Sequence, residues 1–325
     1  MRRRLATLIR LIAAVALVHP LSAFAQEQIT LRVGHFPNVT HVQALVAHGL
    51  SRQGKGWFEQ RLGPNTRIDW FVYNAGPSAM EAIFAKSIDL TYVGPNPAVN
   101  AYVKSRGAEV RIVAGAVNGG SALVIQGNSS LAKAADFRGK RIATPQFGNT
   151  QDVAARAWLI AGGLKITQTG GDAQVLPTAN PDQLTLFKQG QLDAVWTVEP
   201  WVSRLEMEAG GKVLAEDHDA ITTILVARAD FLATRRELVR KFVAAHEELT
   251  DWIGKNPAEA QKLAREELNA EMRGNISEEL VARSWKRIVL TTTVSREAID
   301  TFLQSAQSVG FLRNVPDMSH LREKP

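Results

Sequence analysis

The 325-residue chain contains no cysteine. That absence excludes disulfides, thiolate metal sites, a cysteine nucleophile and lipid attachment at an N-terminal cysteine. Charge of one sign is scarce as well. The formal balance of +6 rests on Arg2, Arg3, Arg4 and Arg10, which lie in a 25-residue opening without an acid. Beyond it the remaining 34 of the 38 basic residues face 32 acidic ones, a net of +2, which asks for neither nucleic acid nor an anionic membrane surface. No later apolar run approaches the ~20 residues that cross a bilayer. A Gly-x-Ser-x-Gly elbow for a serine hydrolase is missing. Gly49-Leu-Ser-Arg-Gln-Gly-Lys55 has the outline of a phosphate-binding loop. Gly56, however, stands where Ser or Thr must hold magnesium, and the stretch follows a predicted helix instead of a strand. His35, His41 and His48 raise a metal reading, but the step from His41 to His48 spans roughly 10 Å of helix, too far for one zinc with bonds of about 2 Å. No metal, cofactor or catalytic residue is expected.

What is present begins with a leader. Met1-Arg-Arg-Arg4 is a positive end, residues 11–18 are a short apolar core, Pro20 ends it, and Ala23-Phe24-Ala25 is a small-x-small cleavage site. Residues 1–25 therefore read as a cleavable signal peptide, the mature chain as starting at Gln26, and the protein as soluble and periplasmic. The arginines leave the general secretory and twin-arginine routes both open. A 45% apolar composition in this length gives room for two packed domains.

The pattern is organised around residues 76–101, GPSAMEAIFAKSIDLTYVGPNPAVNA, which read as helix, strand, turn and the start of a second helix. A diluted copy lies 104 positions on: Pro77, Met80, Ile83, Ile88, Asp89 and Tyr92 meet Pro181, Leu184, Phe187, Leu192, Asp193 and Trp196 without a gap. One unit used twice predicts two similar α/β lobes. Residues 26–117 and 221–325 make lobe 1, residues 118–220 make lobe 2, and hinge crossings fall near 117–121 and 216–220. Residues 131–137 read as a short helix, 277–288 as a helix, and the last fifteen residues as a polar tail. Alternating strands and helices predict mostly parallel sheets, whose ligands bind beyond the strands' carboxyl ends. Residues 34–40, 75–78, 94–96, 145–150 and 198–200 form those loops. Their Ser, Thr and Asn residues each read as an N-cap; together they rim a cleft with N–H groups and hydroxyls suited to a small oxyanion.

Asp136-Phe-Arg-Gly-Lys-Arg-Ile-Ala143, followed by Gly148-Asn-Thr150 and a long helix, is a family pattern. The chain resembles the periplasmic substrate-binding proteins of ABC importers for nitrate, alkanesulfonates and taurine. Gly94-Pro-Asn-Pro97 after Tyr92, and Trp196-Thr-Val-Glu-Pro-Trp201, match that family's cleft loops, and the resemblance covers residues 29–311. It implies an α/β type II periplasmic-binding-protein fold of two lobes, each a mostly parallel sheet flanked by helices. Carried over residue by residue, ligand contacts fall on Phe36, Asn38, Thr40 and His41, on Ser78 and Asn96, on Ser121, on Asn149 and Thr150, and on Trp196, Glu199 and Trp201. Trp196 reads equally as a core residue. Glu199 departs from the Asp-Pro of many relatives, and either caps the next helix or meets a cationic substituent such as the taurine amine. The resemblance implies a monomer that carries a small-molecule anion, an aliphatic sulfonate first, to an inner-membrane ABC permease. Nitrate, taurine and a thiamine-pyrimidine precursor remain open. The runner-up is an enzyme, since pyrimidine synthases share the fold; the eukaryotic ones carry a Cys-rich motif that this chain lacks.

Overall fold

Residues 28–325 are described by a computed structural model; the signal-peptide reading and the start at Gln26 lie outside the described residues. The chain opens with β1 (Ile29–His35), α1 (Val42–Arg52), α2 (Trp57–Leu62), β2 (Thr66–Val72), α3 (Gly76–Phe84), β3 (Leu90–Val93), α4 (Pro95–Lys104) and the long β4 (Val110–Gly119). It crosses into β5 (Ser121–Ile125), β6 (Arg141–Thr144), α5 (Thr150–Ala161), β7 (Gln174–Pro177), α6 (Asn180–Lys188), β8 (Ala194–Val198), α7 (Trp201–Ala209) and β9 (Lys212–Glu216). Then it returns through β10 (Ile221–Arg228) to α8 (Ala229–Thr234), α9 (Arg236–Lys255), α10 (Pro257–Met272), α11 (Glu278–Trp285), β11 (Ile288–Leu290) and α12 (Arg296–Ser308).

Two sheets result, ordered β2-β1-β3-β10-β4-β11 and β7-β6-β8-β5-β9. Their first five strands match position by position and direction by direction. β1 is parallel to β2 and β3, as β6 is to β7 and β8; the next two pairings are antiparallel in both. The duplication reaches single residues. Asp89 accepts hydrogen bonds from the Arg32 backbone and guanidinium, both 3.0 Å, and its copy Asp193 accepts the same two from Arg141, 2.8 and 3.2 Å. The sheets are thus mixed where mostly parallel ones were expected. A chain that leaves a lobe on one strand and returns on its neighbour must run both ways, as β4 and β10 do.

The crossings lie side by side. Gly119 and Gly120 have φ of 68° and 69°, a conformation that costs a side-chain-bearing residue, and Gly119 donates to the Ala220 carbonyl at 2.8 Å. Glu216, read as the start of the return crossing, ends β9 instead. Three other readings are corrected. The short helix expected over 131–137 is one 3-10 turn, Ala134–Phe137. The helix expected through Ile288 stops at Trp285, because residues 288–290 pair with β4 as an edge strand. The expected polar tail buries Leu312 and Leu321, and Ile112 of β4 donates to Leu321 and accepts from Glu323 at 2.7 and 3.0 Å.

Alternation along the strands splits each core in two. Leu225 and Ala227 of β10 face α1, α9 and α10, whereas Ile224 and Val226 face α3, α4 and α12; Leu123 and Val124 divide the second sheet likewise. Inside the first layer His246 is wholly buried. The Tyr92 hydroxyl donates to its Nδ1 at 3.0 Å and its Nε2 donates to the Gly115 carbonyl at 2.8 Å. Burial holds its pKa down to about 4. Below about pH 6.5 the unfolded chain takes a proton that the folded one refuses, so stability present above that value is lost as pH falls toward 4, by about 3 kcal/mol at 1.36 kcal/mol per unit. Denaturant titrations at about pH 7.5 and about pH 4.5 should show a larger loss for wild type than for His246→Gln. Equal losses would remove His246 as the sensor.

Candidate functional site

The lobes meet around a cavity of about 20 Å³. Four helices point their N-termini at it: α3 through Ala75 and Gly76, α4 through Gly94 and Pro97, α5 through Asn149, Thr150 and Gln151, and α6 through Asn180. The loop after β1 closes the wall with Phe36, Asn38, Thr40 and His41, and Asn74, Pro145, Val198 and Thr222 complete it. Local sequence explains the convergence. Proline occupies N1 or N2 of α3, α4 and α6, where its missing N–H costs nothing. Gly94 has no side chain because a Cβ there would stand 2.3 Å from the Thr150 hydroxyl.

Among the described residues, no Asp, Glu, Lys or Arg lines the cavity. His41 is buried, which holds its pKa well below the usual imidazole value, with the His35 imidazole adding to the effect; it is a neutral wall near pH 7. Its ring lies 4.3 Å from that of Phe36, whose N–H points at His41 Nδ1 at 3.4 Å. The hydroxyls of Thr40 and Thr150 are buried without any hydrogen-bond partner. Two orphaned hydroxyls on residues that line one cavity among four helix starts make an arrangement that an incoming acceptor would complete. Asn149 is an N-cap as read, its carbonyl accepting from Asp152 N–H at 2.8 Å. Asp152 does not oppose an anion with a free charge, because Arg156 grips both of its oxygens at 3.1 Å.

Of the twelve residues named from the sequence, Phe36, Asn38, Thr40, His41, Asn149 and Thr150 line the cavity; the other six do not. Ser78 exchanges hydrogen bonds with Gln146 across the lobes, 3.2 and 3.1 Å. Asn96 turns to the Phe302 carbonyl at 3.4 Å. Ser121 stands behind Gln151, accepting from its amide at 3.3 Å. Trp196 packs in lobe 2 against Trp158, the core alternative. Trp201 is buried and orients Asn38, donating to its carbonyl at 3.2 Å. Glu199 is fully buried and spoken for. It accepts from Ser203 N–H and hydroxyl (3.1 and 2.9 Å), from the Ser284 hydroxyl (2.9 Å) and from Arg287 (3.0 Å). It caps α7 and ties the lobes together, so the cationic-substituent alternative loses its carboxylate.

Asn180 was missed, and Val198 was read only as the start of a cleft loop and not as a contact, although the repeat points to both. They lie 104 positions after Gly76 and Gly94, which line the cavity from the other lobe. Thr222 carried no signal, since it sits inside a strand pattern.

Two lobes of this topology with a cavity between them have the fold of the periplasmic binding proteins. The alkanesulfonate-binding protein SsuA of Xanthomonas axonopodis pv. citri, solved with MOPS bound, matches with a TM-score of 0.76, covering 93% of this chain and 100% of that one at 22% identity. Residues 25–266 match the model of the NMT1-like family, and the chain belongs to that family. A protein of Brucella abortus (strain 2308), provisionally named a binding protein, is 28% identical over 258 residues, 76% of this chain and 74% of its own length. An Escherichia coli (strain K12) protein, provisionally named an aliphatic sulfonates-binding protein, is 29% identical over 159 residues, 48% of this chain and 47% of its own.

Proposed function

We propose that the protein is the periplasmic solute-binding component of an ABC importer, and that it holds a small oxyanion, an aliphatic sulfonate first, between its lobes for a membrane permease. The observation that carries this reading is the pair of unpartnered Thr40 and Thr150 hydroxyls among four helix N-termini, with no charged side chain at the wall. A sulfonate there accepts several donors and draws its counter-charge from helix dipoles. The names of the Escherichia coli and Xanthomonas proteins support the ligand class. Taurine is the weaker candidate, because its ammonium group finds no carboxylate in the cavity. A pyrimidine would find one aromatic wall, Phe36, since neither Trp196 nor Trp201 lines the cavity. Nitrate is the second reading, and the small cavity favours it.

The cavity has room for about one ordered water, so a larger ligand enters only when the lobes part, by hinging at 117–121 and 217–220. Thermal shift and titration calorimetry with ethanesulfonate, taurine, nitrate and an aminomethyl-pyrimidine test the reading, together with small-angle scattering at saturation. Ethanesulfonate is expected to bind one to one, to raise the melting temperature and to hold the lobes shut at a smaller radius than the free protein. Binding of nitrate alone would change the ligand and keep the class. Silence from every anion would remove the oxyanion site.

A further inference from the structure

A second cluster lies inside lobe 1. His35 ends β1, His48 stands on α1, and Glu271 is the penultimate residue of α10. Helical spacing compared His48 with His41; the fold brings it to His35 instead. His35 Nε2 lies 3.1 Å from His48 Nδ1 and 3.0 Å from Glu271 Oε1, and His48 Nδ1 lies 3.0 Å from the same oxygen. The side chains of His35 and Glu271 are 0% and 1% exposed. Three atoms able to ligate an ion therefore converge within 3.1 Å of one another inside the lobe. Glu271 Oε2 is also buried with no partner. His35 Nδ1 faces the Phe36 carbonyl at 3.4 Å; in the neutral tautomer with its hydrogen there, the Nε2 lone pair turns into the triangle. That is the arrangement in which a metal-bound histidine is held by its other nitrogen. Trp70 walls both rings, with centroids 5.5 Å from His35 and 5.3 Å from His48. Glu267, one turn before Glu271, reaches His48 Nδ1 at 2.9 Å while Arg52 holds it at 2.9 Å.

We infer that His35 Nε2, His48 Nδ1 and a Glu271 oxygen form a binding site for one divalent transition-metal ion, with Zn²⁺ as its reference occupant, tying α10 to β1 and α1. Two imidazoles and a carboxylate are a donor set that such ions favour. At bond lengths of about 2.0–2.2 Å, tetrahedral ligand atoms stand roughly 3.4 Å apart, so each edge of the triangle opens by only a few tenths of an ångström. Glu271 borders a groove of about 600 Å³ between α7 and the end of α10, which gives an ion its route in and leaves the fourth position to water.

The test uses the untagged protein, dialysed against a chelator and titrated with zinc chloride by calorimetry, then with Co²⁺ followed by visible absorption. One zinc per chain is expected, with a raised melting temperature and the strong visible band of four-coordinate cobalt. His48→Gln and Glu271→Gln should each weaken uptake by about a hundredfold or more, whereas His218→Gln, on the surface beside Glu216, should change nothing. If either variant fails to fold, the wild-type cobalt spectrum still decides, because a six-coordinate surface ion lacks that band. Failure of wild type to take up zinc, or undiminished uptake by folded His48→Gln/Glu271→Gln, would overturn the site. Neither result touches the anion reading.

Discussion

Thr150→Asp is expected to abolish anion binding and leave the protein folded. Thr150 is the first residue of α5, and its hydroxyl is buried without a partner at the wall of the inter-lobe cavity. Aspartate is close to threonine in size and is welcome in the first turn of a helix, where the dipole favours a negative charge. The fold therefore tolerates it. An anion does not, because the new carboxylate occupies its place and repels it. Thr150→Ala removes the donor alone. A hydrogen bond to a charged group is worth about 1.5–3 kcal/mol, and about 1.4 kcal/mol is tenfold, so affinity should fall by about ten- to a hundredfold. Calorimetry with ethanesulfonate, or with whichever anion the panel identifies, decides the matter. Wild-type affinity in folded Thr150→Asp would show that the anion is held elsewhere.

Removing Arg287 is expected to open the protein. Its guanidinium, in the segment that follows β10, meets three carboxylates of lobe 2: Glu199 at 3.0 Å, Glu206 at 3.0 Å and Glu216 at 3.2 Å. Burial pushes the Glu199 carboxyl above its ordinary pKa, with Ser203, Ser284 and Arg287 pulling the other way. Arg287→Ala leaves that buried carboxylate without its cation, and breaking such a pair costs about 3–5 kcal/mol. On the hinge reading the cost falls on the closed form alone, since the partners lie on opposite lobes. The closed population, and with it anion affinity, should drop by about two to four powers of ten, although Arg287 does not touch the cavity. Scattering should report a larger radius, and Arg287→Met/Glu199→Gln should recover much of the loss. An unchanged radius and affinity would leave Arg287 as an ordinary surface contact.

These two residues also mark how far the sequence could be read. Thr150 was accessible because Gly-Asn-Thr and the long helix it opens are neighbours in the chain. The loop after β1 was accessible for the same reason. Glu199 was visible as a carboxylate at a cleft loop and as a cap for the next helix, but its partners Ser284 and Arg287 lie 85 and 88 residues further on, and nothing local announces them. α2, with six residues, is too short for a helical period to declare itself. β9 and β11 are edge strands whose status depends on β5 and β4 offering hydrogen bonds. The His35–His48–Glu271 meeting spans 223 residues from α1 to α10. The internal repeat was the one long-range signal within reach, and extending it by one position at its start would have named Asn180.

A cavity wall without formal charge changes what can be told apart there. A lysine or arginine attracts every anion that approaches, more strongly as valence rises. Backbone N–H groups at helix starts act within about a turn, and their bonds weaken steeply with angle. Discrimination then follows the outline of the ligand's oxygens, and doubling the ligand's charge adds a second desolvation cost without a second cation to offset it. Nothing at such a wall gains or loses a proton near neutrality. A strong-acid anion would be held as firmly in a mildly acidic medium as in a mildly alkaline one.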